Sequence, residues 1–148
     1  MKKYITGMLL FISGALLGAA GAAVRAVPAS PEETSSESEW DALVEALIWV
    51  ESRGDASAVN PRTGATGILQ IMPIYVKDAN RLQNDTEFTL ADRLSPEKSM
   101  EMFRIIQQHY NPGRDIHKAI HLHNPKAGQS YADAVLARME EQTGHRPS

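Results

Sequence analysis

The chain has 148 residues, 15 Lys and Arg against 18 Asp and Glu, and no cysteine, which bounds it to one domain of ordinary size. Without cysteine, disulfide staples and a lipid-modified cysteine anchor are both excluded. Setting aside Lys2, Lys3 and Arg25 of the leading segment leaves 12 basic against 18 acidic residues, a net charge of −6, the wrong balance for a nucleic-acid partner.

Lys2 and Lys3 precede an uncharged run from Tyr4 to Val24 rich in Leu, Ile, Ala and Gly, the pattern of a secretory signal. Ala20-Gly21-Ala22, Val24-Arg25-Ala26 and Val27-Pro28-Ala29 each offer small residues for cleavage. The run is also long enough to span a bilayer. Residues 1–26 therefore read as a signal peptide or an uncleaved membrane anchor, with a tether through residues 4–24 as the second case. Either way the expected location is the periplasm or cell envelope. Residues 27–39 (VPASPEETSSESE) hold little apolar surface and read as a flexible acidic linker. That leaves 40–143 as the folded unit, 144–148 as a disordered tail, and a monomer as the expected state.

The folded part reads as mainly α, with one long loop after its first core helix. In the first helix, about Trp40 to Arg53, Ser38 and Asp41 approximate a capping box. Trp40, Leu43, Val44, Leu47, Ile48 and Glu51 recur at i, i+3, i+4, i+7 spacing and span an arc of roughly 140° at about 100° per residue. A carboxylate on such a stripe is costly unless it is paired or holds a proton, and a shielded carboxylic acid is the group needed to protonate a poor leaving group. Residues 54–66 (GDASAVNPRTGAT) form a loop by composition, and a loop this long in a small domain is more often functional than decorative. A small hairpin within it stays open; no alternating strand stands out elsewhere. A short helix is expected over Gly67–Met72. Pro73 can open the next, to about Leu82. Ser95-Pro96 starts another, to about Tyr110, with Met100, Phe103, Ile106 and Tyr110 facing inward. Asn111-Pro112-Gly113 stops it. Further helices are expected from Arg114 to His123 and from Tyr131 to Met139, where Tyr131 reads as core.

Three clusters carry candidate chemistry: Glu51-Ser52, the segment Gly64 to Pro73, and His121-Leu122-His123-Asn124. Taken in this order they resemble the lysozyme-like lytic transglycosylases of the soluble (SLT) type. That family has a glutamate and serine at a helix end, then a Gly-Leu-Met-Gln-like segment ending in Met-Pro. Near its end it has a Tyr-Asn-Ala-Gly-like segment, then a Tyr several residues before a Val. Here the second segment reads Gly67-Ile68-Leu69-Gln70-Ile71-Met72-Pro73. The stretch from Ala46 to Pro73 is the specific part, and the weaker likeness extends to about Met139. Two departures stand out: His123 replaces the usual Tyr, and Pro125-Lys126 replace the usual Ala-Gly. A histidine can still donate a hydrogen bond toward a carboxyl or a sugar.

The resemblance implies a lysozyme-like helical fold and cleavage of the β-1,4 bond between N-acetylmuramic acid and N-acetylglucosamine in peptidoglycan glycan strands. The sugar's own 6-hydroxyl replaces water and leaves a 1,6-anhydro end. Ordinary glycosidases need two carboxylates about 5 to 9.5 Å apart. The resemblance implies that one suffices here, Glu51 acting first as acid and then as base. By the same resemblance Gln70 and Asn124 contact substrate. Ser52, Gly67 and His123 join them as expected binding residues, although four of the five have a plainer alternative: a helix-end hydroxyl for Ser52, a turn glycine for Gly67, a surface amide for Gln70 and a C-cap for Asn124. No cofactor is called for.

Three other readings are weighed. His117 and His121 lie one turn apart, a spacing compatible with zinc. His123 points some 120° away by the helical wheel, so no three ligands converge, and no metal is expected. A goose-type lysozyme-like hydrolase would need a second carboxylate to activate water, with Asp55 nearest in sequence. A non-catalytic wall-binding module would not need Glu51 beside an intact Gly67–Gln70 segment.

Overall fold

Helix α1 (Pro31–Ser52) opens where proline and acidic residues suit a helix N-terminus. The structure, a computed structural model, describes residues 31–83 and 87–147. The expected signal or anchor segment, 1–26, and the first linker residues, 27–30, lie outside the described residues. The helix begins well before Trp40, so the stretch from Pro31 to Glu39, expected as linker, forms its first turns. An ion pair between Glu37 and Arg114 ties those turns to the body of the domain. Leu43, Leu47 and Ala46 are fully buried and Ala42 nearly so, whereas Trp40, Val44 and Ile48 are only half-buried. The buried face is thus rotated toward the alanines. Glu51 stands on its margin, and its shielding must come from elements other than α1.

The remaining helices are α2 (Pro73–Leu82), α3 (Pro96–Tyr110), α4 (Ile116–His123) and α5 (Gln129–Thr143), with a 3-10 turn at Leu90–Leu94 that the sequence pattern did not indicate. Their starts follow local chemistry. Pro73 and Pro96 occupy first-turn positions. Ser95 Oγ accepts from Lys98 N at 3.2 Å, and Asp115 Oδ1 accepts from Lys118 N at 2.7 Å. Each such cap stabilises its helix by about 1 kcal/mol. Helix α1 packs chiefly on α5, α2 packs on α3, and α4 touches α1, α3 and α5. Met102, Phe103, Ile106, Ile120, Val135, Leu136 and Met139 meet Leu43 and Leu47 in one core. Truncating a ring such as Phe103 in that core costs about 3–5 kcal/mol. After α5, Arg146 Nη2 sits 3.2 Å from Asp133 Oδ1 and Pro147 is buried, whereas Gly144, His145 and Arg146, in the stretch expected as a tail, are exposed.

The long loop after α1 carries the one piece of pairing among the described residues. Single antiparallel bridges join Val59 to Thr66 and Thr66 to Ile71. The short helix expected over Gly67–Met72 is absent; the segment is a tight turn. Gly67 (φ 81°) and Gln70 (φ 46°) both take left-handed backbone, which a helix cannot accommodate. Glycine is required at position 67, because a Cβ there would lie 1.8 Å from the carbonyl oxygen of Arg93.

Candidate active site

Glu51 is in the last turn of α1, and its side chain is only 13% exposed. Helices α4 and α5 supply the cover that the apolar stripe does not. Tyr131, near the start of α5, donates its hydroxyl to Glu51 Oε1 at 2.5 Å. His123, the last residue of α4, has Nε2 3.5 Å from the same oxygen and 3.0 Å from the carbonyl oxygen of Leu69. A carbonyl only accepts, so Nε2 carries a proton and donates to Leu69. The imidazole is 3% exposed and packed edge-on to Tyr75 and Phe103, with ring centroids 5.8 and 5.9 Å away. Glu51 Oε2 receives no hydrogen bond from the described residues.

Two buried polar atoms beside the carboxyl have no partner among the described residues: the Tyr75 hydroxyl and His123 Nδ1. An unsatisfied buried group of this kind costs about 1–3 kcal/mol, and such costs concentrate where structure serves chemistry. Burial raises the Tyr75 phenol well above the ordinary range, with Asp78 adding to the effect. Burial first, then the charge and hydrogen bond of Glu51, does the same to Tyr131. Both phenols are therefore neutral donors at any physiological pH.

A groove of about 700 Å³ opens from Glu51 between the 60–72 loop and α2 on one side and the end of α4 on the other. Gln70, Tyr75, His123 and Asn124 line it. Gln70 lies where the resemblance puts it, but its amide nitrogen is committed to the loop, donating to Ala58 O at 3.1 Å and Gly67 O at 3.0 Å. Only its Oε1 is free of partners among the described residues. Asn124 is both groove lining and C-cap, its backbone N–H reaching Ile120 O.

Two expected binding residues do not line the groove. Ser52 donates to Ile68 O at 2.8 Å and Ile48 O at 3.3 Å, stapling the Gly67–Gln70 turn to the helix that carries Glu51. Gly67 is buried against Arg93 rather than open to a sugar. Helical geometry explains the first: Ser52 lies about 100° around α1 from Glu51, on the side facing the turn.

Three contributors were missed or misread. Tyr131 packs against the core as expected, yet its hydroxyl belongs to the site. The Tyr ahead of a Val that the resemblance names, here Tyr131 and Val135, was the available signal. Tyr75 adjoins buried Val76 on α2, so it passes for core. Arg93, whose Nη1 donates to Gly64 O at 2.8 Å and Ile71 O at 3.1 Å, clamps both ends of the turn; nothing in its sequence surroundings marks it. Asp55 does not line the groove. It is exposed and held below the usual carboxylate range by the Ser57 hydroxyl and backbone N–H. Among the described residues no three His, Cys, Asp or Glu side chains are grouped to hold a metal, and His117 and His121 are both exposed.

A helical domain that presents one shielded carboxyl to a groove walled by a glycine turn is of the lysozyme-like class. Comparison with family models bears this out. The family described as the transglycosylase SLT domain matches residues 29–147, and the chain belongs to it. Members of that family are glycan-cleaving transglycosylases, and the membership implies peptidoglycan as substrate. No curated protein and no solved structure matches the chain significantly.

Proposed function

We propose that this protein is a peptidoglycan lytic transglycosylase in which Glu51 serves as acid and then as base. The observation that carries the proposal is the state of its carboxyl: shielded by α4 and α5, held at Oε1 by Tyr131, unpaired at Oε2, and lining the groove. Glu51 gives its proton to the glycosidic oxygen as the bond to C1 breaks. The 6-hydroxyl of the muramyl residue then attacks C1 and returns its proton to Glu51, closing the anhydro ring and restoring the acid. Proton transfer by a positioned group is worth roughly 10²–10⁴ in rate. Tyr131 fixes the carboxyl's orientation, and His123, donating from Nε2 to the carbonyl oxygen of Leu69, keeps the Leu69–Gln70 turn against it. Gln70 Oε1 and Asn124 offer polar contacts to the strand.

Hydrolysis through a second carboxylate is less well supported. Asp55 lies off the groove, and Asp78, which lines it, is tied to Arg81 by hydrogen bonds of 2.6 and 3.0 Å. A non-catalytic binder would have no use for a shielded, oriented carboxyl. Digestion of purified sacculi separates the three: anhydro-muropeptides support transglycosylation, reducing ends indicate hydrolysis, and no products indicate a binder. Export through residues 1–26 belongs to the same proposal, since the substrate lies outside the membrane. No helix among the described residues is long and apolar enough to cross one. N-terminal sequencing of the exported protein distinguishes a cleaved signal from an anchor.

A further inference from the structure

The turn that walls the groove has little regular structure of its own. Two single bridges, Val59 to Thr66 and Thr66 to Ile71, pair its backbone. Side chains from three other elements hold its carbonyls. At the tip, Ser52 of α1 donates to Ile68 O at 2.8 Å and His123 of α4 to Leu69 O at 3.0 Å. At the base stands Arg93, in the 3-10 turn. Its Nη1 donates to Gly64 O at 2.8 Å and Ile71 O at 3.1 Å, and its Nε to Leu90 O at 2.8 Å. Each of these bonds goes to a backbone carbonyl. The bond from Nε aims the planar fork, so that Nη1 meets both ends of the turn.

Gln70 sits between the two anchored carbonyls of Leu69 and Ile71. Its φ of 46° is left-handed, a backbone that a residue with a side chain keeps only where its surroundings over-determine it. Its amide nitrogen is bonded within the loop, to Ala58 O and Gly67 O, so the side chain travels with the turn. Its Oε1 has no partner among the described residues, and Gln70 lines the groove whereas Arg93 does not.

Resting on the transglycosylase reading, we infer that Arg93 is a positioning residue for strand binding. It acts from outside the groove, through Gly64 O and Ile71 O, and keeps Gln70 in the backbone that leaves Oε1 open to the glycan. Without those donors Gln70 relaxes to ordinary backbone and its contact with the strand is lost. Glu51 is held separately, by Tyr131 from α5. Loss of Arg93 therefore weakens binding more than it slows the chemical step.

The test measures kcat and KM for anhydro-product formation on soluble, uncrosslinked glycan strands, in a cycle of Arg93→Met, Gln70→Ala and the double variant, with melting curves for each. Arg93→Met should raise KM about tenfold with kcat within about threefold of native protein. Arg93→Lys, which keeps a donor but not the second anchor, should fall between the two. In the double variant KM should match Gln70→Ala alone, not the roughly hundredfold product of two independent effects. A merely structural role would lower the folded fraction, and with it apparent kcat, while leaving KM unchanged. That result overturns the inference, as do a KM within twofold of native protein in Arg93→Met or effects that multiply in the double variant. If neither Arg93 variant folds, the residue serves folding and the inference falls as well. Failure of the native protein to cleave the strands would instead remove the transglycosylase reading.

Discussion

Two grooves border the core, and one ring packs against a lining residue of each. Phe103 has its centroid 5.9 Å from His123 on one side and 6.1 Å from Trp40 on the other. The groove beyond Trp40 is the larger, about 1010 Å³ against about 700 Å³ for the one that reaches Glu51. Its floor is apolar, with Val44, Ile48, Ala56, Ile68 and Met100, and its charged groups, Glu37 and Arg114 among them, sit at exposed positions. The smaller groove is lined by the oriented carboxyl and by Tyr75 and His123, each with a buried polar atom that has no partner among the described residues, while Tyr131 holds the carboxyl from α5. Volume does not decide between them; reactive chemistry needs polar groups held away from water at fixed distances, and of these two grooves the smaller is the one lined by such groups.

The largest test of that contrast is Glu51→Gln. Turnover should fall by about 10²–10⁴ while the melting temperature stays level or rises slightly, because the amide oxygen can still accept from Tyr131. Turnover within tenfold of native protein would assign catalysis elsewhere. Next comes Gly67→Ala, which places a methyl group on the Arg93 carbonyl. A cost of about 3 kcal/mol, more than 10 °C in melting temperature for a domain this size, should accompany loss of activity; a normal melting curve would mean that the turn is free to shift.

Tyr131→Phe should cost about 1 kcal/mol of stability at neutral pH and slow turnover about tenfold or more by loosening Glu51. It also has a signature in pH. The folded state holds the Tyr131 proton more tightly than the unfolded chain does, so native stability stays level up to the ordinary phenol range and falls above about pH 10. Each raised phenol contributes about 1.4 kcal/mol per pH unit to that slope, and alkaline unfolding curves of Tyr131→Phe should lack one such contribution. Met100→Ala, on the apolar groove, is expected to cost about 1 kcal/mol with turnover within twofold; a large loss of activity would show that the two grooves communicate through Phe103. The smallest effect belongs to Asp55→Asn, for which turnover and anhydro products should both be unchanged. Reducing ends from native protein that vanish in this variant would instead favour hydrolysis.

Much of the framework was readable from the chain because its signals are local. Pro73, Ser95-Pro96 and Asn111-Pro112-Gly113 marked helix ends to within a residue, since prolines, caps and glycines act on their own backbone. The order Glu51-Ser52, Gly67 to Gln70, Met72-Pro73 pointed to the family that the whole-domain match established. The turn at Gly67 defeated the helical expectation because Arg93 and Ser52, distant in sequence, hold it in a left-handed backbone. Tyr131 and His123 reach Glu51 from 80 and 72 residues away, and no periodicity connects such positions. The sequence alone therefore determined which carboxyl was available and on which helix it rode. Only the tertiary structure decided what shields that carboxyl, which of its oxygens is held, and which groove it faces, because shielding depends on groups that meet only when α1, α4 and α5 pack together.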